Sequence, residues 1–84
     1  MLNNIRHKDH RLIIKISEAA YKLKEKSLGH EYRADYLKLL GNFNSSIKFY
    51  KLALKYNMKG KTIDDRILSK IKEIEKLQET KEIL

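Results

Sequence analysis

Residues 41–58, GNFNSSIKFYKLALKYNM, decide the fold of this chain. When residues 44–58 are projected as a helix, apolar or small side chains occupy two separate sides. One side holds Ile47, Tyr50, Ala53, Leu54 and Met58, and the other holds Phe49, Leu52 and Tyr56. The remaining strip is basic and holds Lys48, Lys51 and Lys55, with Lys59 just beyond. Because a helix that is apolar on two sides needs neighbours on both, this stretch predicts the central helix of a bundle.

Three other stretches show apolar residues at helical spacing. Together with the central helix they predict an all-α, small antiparallel bundle of four helices, at about 10–25, 28–40, 44–58 and 63–80. We expect the first two helices to separate near residue 27, where Ser27 can serve as an N-cap and Gly29 lies close by. If the second helix is extended toward the N-terminus, Ile14 and Tyr21 fall on the same face as its apolar residues. The alternative is therefore a three-helix bundle with one long first helix over 10–40.

The turns and domain limits follow from a few residues. Gly41 and Asn42 predict the end of the second helix, because both residue types accept the left-handed conformation that closes helices. Asn44 or Ser45 would then cap the central helix. We expect a single domain over residues 10–82, preceded by an N-terminal arm of residues 1–9. Leu2 and Ile5 continue the first apolar stripe, so this arm is compatible with helix.

Composition excludes several function classes. The chain has 84 residues and a net charge of +8, without cysteine or proline. Its apolar runs are too short to span a membrane, and its N-terminus is too polar for a secretory signal, so a cytoplasmic location is the default expectation. His7 and His10 lie three residues apart but lack a third metal ligand. With neither a catalytic motif nor a metal set, we expect a non-enzymatic protein without metal or cofactor.

The stretch 34–56 resembles a tetratricopeptide repeat. Ala34, Gly41, Ser46, Tyr50 and Ala53 stand where that family places small, glycine, small, aromatic and small residues, and Ala19 precedes Ala53 by one repeat length. His30 and Arg33 depart from the family's usual aromatic and leucine, and Met58 from its proline. The resemblance implies a helical hairpin that binds peptides.

The same stretch also looks like an MIT domain, a three-helix relative that binds helical tails of membrane-remodelling proteins. The residues that carry this likeness are Gly41, Asn42, Phe43, Ile47, Tyr50, Ala53 and Leu54, with Ile67, Lys70 and residues 75–77 in the last helix. Lys38 stands where that family has an acidic residue. This resemblance implies a protein-binding module as well.

The predicted function is therefore binding of a helical or extended, acidic peptide in a groove between helices. Residues 36–61 carry six lysines and no acid, which favours an anionic partner. The candidate binding residues are Lys48, Lys51, Lys55, Lys59, Tyr36 and Tyr56. Two alternatives stay open: a basic helical protein that binds nucleic acid through these lysines, and a homodimeric structural bundle.

Overall fold

The computed structural model describes the backbone of residues 10–83 and the side chains of residues 11–79; the predicted N-terminal arm lies outside these residues. The described chain forms four helices: α1, His10–Lys22; α2, Lys26–Leu39; α3, Phe43–Tyr56; and α4, Lys61–Ile83. The prediction of a small all-α bundle of four helices is confirmed. No helix within residues 10–83 is both long and apolar enough to cross a membrane.

The break between α1 and α2 lies earlier than predicted. Lys24 adopts the left-handed conformation, with φ 65°. Its backbone N–H donates to Tyr21 O at 2.9 Å, and the N–H of Glu25 donates to Ala20 O at 2.9 Å. These two bonds form a Schellman motif, which satisfies the last carbonyls of α1. The predicted break near residue 27 is wrong in position, because Ser27 and Gly29 lie inside α2.

A second Schellman motif ends α2, as the sequence predicted for Gly41. The φ of Gly41 is 80°, its N–H donates to Lys38 O at 3.0 Å, and Asn42 N–H donates to Leu37 O at 2.9 Å. Asn42 then occupies the N-cap position of α3, without a side-chain capping bond. The prediction of Asn44 or Ser45 as the cap is wrong by two or three residues, because Gly41 and Asn42 complete the whole turn.

Three serines hold neighbouring helices together. Ser17 of α1 donates to Gly29 O of α2 at 2.8 Å, and Ser46 of α3 donates to Ala34 O of α2 at 2.7 Å. Ser27 of α2 donates to Ala53 O of α3 at 2.7 Å. A hydroxyl reaches a carbonyl of another helix only where small side chains let the backbones approach closely. These bonds set α2 antiparallel to α3, with Ala34 beside Ser46 and Ser27 beside Ala53.

The core lies between α2, α3 and α4. Its fully buried members are Ala34, Tyr50, Ala53, Ile67 and Ile74, and Ile71 is nearly so. The central helix therefore has neighbours on two sides, as its sequence indicated, and α4 contributes Ile67, Ile71 and Ile74 to this core. Met58 does not follow the prediction: it lies beyond the end of α3 and is 94% exposed.

Candidate functional site

Helix α2 carries acidic residues on the side that faces α4. The carboxylate of Glu31 is buried and accepts two hydrogen bonds from Arg66, from Nε at 2.9 Å and from Nη2 at 2.6 Å. Lys70 donates to Glu31 at 2.8 Å and lies 3.3 Å from Asp35. The hydroxyl of Tyr50 also donates to Asp35. Both acids of α2 are thus bonded to side chains of α3 and α4.

These contacts shift the pKa values of Glu31 and Tyr50. Burial by itself would raise the pKa of Glu31, but the hydrogen bonds from Arg66 and Lys70 outweigh it and lower that pKa. Burial raises the pKa of Tyr50, and the hydrogen bond and charge of Asp35 raise it further. At neutral pH Glu31 is therefore ionised and Tyr50 is protonated, and the charge of Glu31 is balanced by Arg66 and Lys70 of α4.

The opposite side of α2 meets α3 in a basic–aromatic face, which we define as Lys26, His30, Arg33, Phe49, Lys55 and Tyr56. The Nζ atoms of Lys26 and Lys55 lie 5.5 and 5.8 Å from the centre of the Tyr56 ring. The guanidinium of Arg33 lies 5.8 Å from the Phe49 ring. At these distances a cation is attracted to the electron-rich face of an aromatic ring. Tyr56 therefore has two cations beside it, and Phe49 has one.

His30 lies at the centre of the basic–aromatic face. The centre of its ring is 5.9 Å from that of Phe49 and 5.5 Å from that of Tyr56. Its Nδ1 shares a hydrogen bond of 2.8 Å with the hydroxyl of Tyr21 on α1. Partial burial and the charge of Lys26 both lower the pKa of His30. At neutral pH, His30 is an uncharged bridge that links α1, α2 and α3.

Arg33 keeps an unused donor. Its Nε is buried and has no hydrogen-bond partner within the described part of the chain. A buried N–H without a partner costs about 1–3 kcal/mol, a cost that the rest of the fold must offset. Among the described residues, the contact that positions this guanidinium is the one with the Phe49 ring.

A cleft of about 490 Å³ adjoins the basic–aromatic face. It lies where the α1–α2 turn, the end of α3 and the start of α4 meet, and it shares Lys26 and Tyr56 with the face. Its remaining apolar lining comes from Leu28, Met58 and Ile63. Basic side chains outnumber acidic ones around it, and one of these acids is Glu31, which already binds Arg66. The cleft can therefore receive an apolar group beside a cationic surface.

The structure brings together only some of the residues predicted from sequence. Lys48, Lys51 and Lys55 are exposed on α3, and Tyr56 is 41% exposed at its end. Lys59 lies in the connection to α4, where it forms an ion pair with Glu25 at 3.2 Å. From the register of α2 and α3, Tyr36 lies beside Asn44. Asn44 and Tyr56 are separated by about 18 Å along the axis of α3, since a helix rises 1.5 Å per residue. Tyr36 is therefore distant from Tyr56.

Sequence reasoning missed the contribution of α2. Lys26, His30 and Arg33 follow one another at intervals of four and three residues, and this spacing places them on one stripe of a helix. Had helix been assigned from residue 26 rather than 28, the stripe would have been visible. In the sequence, His30 and Arg33 stood out only as departures from a repeat pattern.

No family model, curated protein or solved structure matches this chain. The likeness to tetratricopeptide repeats and MIT domains consequently stays a prediction from the residues of the α2–α3 hairpin.

Proposed function

We propose that this chain is a non-catalytic interaction module that binds an acidic peptide segment along the basic–aromatic face. The observation that carries the proposal is the division of charge on α2. Glu31 and Asp35 are bonded to Arg66 and Lys70 on one side. The cations of the other side lie over aromatic rings. Since α3 contains no acidic residue, the face presents a positive potential to a partner.

The cleft supports a peptide rather than a small anion. A peptide segment can place carboxylates beside Lys26, Lys55 and Arg33 while one apolar side chain enters the cleft between Leu28 and Ile63. Apolar contacts of this kind supply affinity, whereas surface charges chiefly supply orientation and association rate. The preferred ligand is therefore a segment in which acidic residues surround at least one large apolar residue.

The rings themselves argue for a peptide over single-stranded nucleic acid. Proteins that bind single strands offer open aromatic faces on which bases stack. Here Tyr56 has Lys26, Lys55 and His30 around it, and Phe49 has Arg33 and His30. Because these groups already occupy the neighbourhood of the rings, the face is better suited to carboxylates than to bases.

The test is a selection from a random peptide library with the full chain as bait. We expect enrichment of peptides that combine acidic residues with an apolar anchor. The same selection is repeated with the double variant Lys26→Glu/Lys55→Glu, which reverses both cations over Tyr56. The matched control, Lys61→Glu/Lys72→Glu, changes the net charge equally at two exposed positions of α4.

The proposal predicts that the control retains the enriched peptides and the Lys26→Glu/Lys55→Glu variant loses them. A third variant, Lys48→Glu/Lys51→Glu, shows how far the site extends along the lysines predicted from sequence. Equal enrichment on the wild type and the Lys26→Glu/Lys55→Glu variant would overturn the proposal. So would salt-sensitive binding of random single-stranded DNA in the absence of any enriched peptide.

A further inference from the structure

Helix α1 and the residue that follows it carry an exposed apolar row, here called the outer seam: Leu12, Ile16, Ala19 and Leu23. Leu12 is 53% exposed and Leu23 is 75% exposed. The N–H of Leu23 donates to Ala19 O at 3.1 Å, so Leu23 continues the helical geometry of α1. Among the described residues, α1 meets the basic–aromatic face through the bond from Tyr21 to His30, and the seam is separate from that face.

The outer seam has the spacing of a helix–helix contact. Its residues are separated by four, three and four positions, as are the a and d positions of a heptad. A second row on α1, which includes Ser17 and Ala20, is buried, and Ser17 bonds directly to α2. Two such rows side by side are typical of a helix with a neighbour on each side. In the described chain, α2 is the neighbour of the buried row.

The charges beside the seam disfavour a second copy of this chain. Lys15 and Lys22 are exposed and lie seven residues apart, along the edge of the seam away from α2. In an antiparallel pair of identical seams these lysines would face each other, and like charges at such positions are unfavourable. In a parallel pair they would face the edge that carries Ala20, which is already buried in its own domain.

We propose that the outer seam binds an amphipathic helix of another protein, whose apolar residues follow heptad spacing and whose edge facing Lys15 and Lys22 is acidic. The seam is about 16 Å long, from the rise of a helix over eleven residues, so the partner segment needs about three turns. Opposite charges along the edge of a helical seam select the partner and its orientation. This interaction is independent of the basic–aromatic face.

Two synthetic helical peptides provide the probe. Both carry leucine and isoleucine at the a and d positions, and they differ only in having glutamate or lysine at the flanking e and g positions. We expect the glutamate peptide to bind the full chain about tenfold more tightly than the lysine peptide, as measured by fluorescence anisotropy. The charge variant Lys15→Glu/Lys22→Glu should reverse this preference.

The apolar part of the contact is tested with Leu12→Gln/Leu23→Gln, which should weaken binding of the glutamate peptide about tenfold. Leu68→Gln is the control, because Leu68 is a similarly exposed leucine on α4. The variant Lys26→Glu/Lys55→Glu should bind the glutamate peptide as the wild type does. If this variant alone lost binding, the peptide would be occupying the basic–aromatic face and the seam proposal would be wrong.

Sedimentation and vesicle-binding measurements test whether the outer seam instead binds a second copy of the chain or a lipid surface. We expect the wild type to be monomeric and to bind neutral and anionic vesicles equally weakly. A dimer that Leu12→Gln/Leu23→Gln dissociates would assign the seam to a second copy. Binding to anionic vesicles that the same variant abolishes would assign it to a lipid surface. Either result, or equal binding of the two peptides, overturns the proposal.

Discussion

Arg66 of α4 donates two hydrogen bonds to the buried carboxylate of Glu31 on α2, one from Nε and one from Nη2. A paired, two-point contact of this kind fixes orientation as well as distance. It connects the last helix to the second across a sequence separation of 35 residues. It also neutralises one side of α2, so that the cations on the other side dominate the potential of the basic–aromatic face.

Replacing Arg66 with leucine should lower the free energy of unfolding by about 2 kcal/mol, because Glu31 stays buried with fewer partners. The expected loss is smaller than for a fully buried pair, since Arg66 is half exposed and Lys70 still binds Glu31. Urea denaturation measures the change. Lys72→Leu, at an exposed position of the same helix, is the control, and equal losses in the two variants would contradict this role of Arg66.

Stability should fall at acidic pH, in part through Glu31. The folded protein lowers the pKa of Glu31 below its ordinary value of 4.5. A carboxyl group whose pKa is lower in the folded protein than in the unfolded chain stabilises the fold at pH values above the pKa of the unfolded chain. This contribution disappears as the pH falls through the pKa of the folded protein. The Glu31→Gln variant should therefore be less stable than the wild type at pH 7. Below about pH 4.5 its free energy of unfolding should fall less steeply with pH than that of the wild type. Parallel pH profiles of wild type and variant would refute the assignment.

Lys24→Gly should stabilise the protein by about 1 kcal/mol. Lys24 has φ 65°, a conformation that costs about 1–2 kcal/mol for a residue with a Cβ atom and little for glycine. Thermal or urea unfolding measures the gain. Lys22→Gly provides the contrast, because Lys22 is helical and glycine there should cost about 1 kcal/mol. Destabilisation by both substitutions would contradict a strained backbone at Lys24.

Gly29→Ala should destabilise the protein by about 1 kcal/mol, although alanine is usually the better residue inside a helix. A Cβ atom at this position would lie 2.7 Å from two carbon atoms of the Tyr21 ring. Moving that ring would disturb its hydrogen bond to His30. In a Tyr21→Ala background the clash is gone, so the same substitution should become stabilising. A double-mutant cycle without this change of sign would show that contact with the Tyr21 ring does not determine the effect of Gly29→Ala.

The fold was largely predictable because the pattern of apolar residues sets it. The stripes of α3 and α4 identified the helices, and Gly41 identified the turn between α2 and α3, since glycine is the residue that most readily adopts positive φ. The α1–α2 turn was misplaced for the converse reason. There a lysine occupies the left-handed position, while Gly29, the residue that looked like a breaker, provides space for Tyr21 within a helix.

The candidate site was less predictable, because it depends on which helices meet and in what register. Lys55 and Tyr56 were identified from α3 alone, but Lys26, His30 and Arg33 join them only through the antiparallel packing of α2. That packing is set by Ser27 and Ser46, whose hydroxyls bond to carbonyls of the opposite helix. The same register moves Tyr36 to the far end of the hairpin. Serine–carbonyl bonds between helices have no distinctive sequence pattern.

The most direct test of the proposed function is the affinity of a selected acidic peptide for two variants of equal net charge, measured by titration calorimetry. We expect Lys26→Glu/Lys55→Glu to weaken binding at least about tenfold and Lys61→Glu/Lys72→Glu to change it by less than about twofold. Equal weakening of both variants would mean that the peptide responds only to total charge, and would contradict a site on the basic–aromatic face.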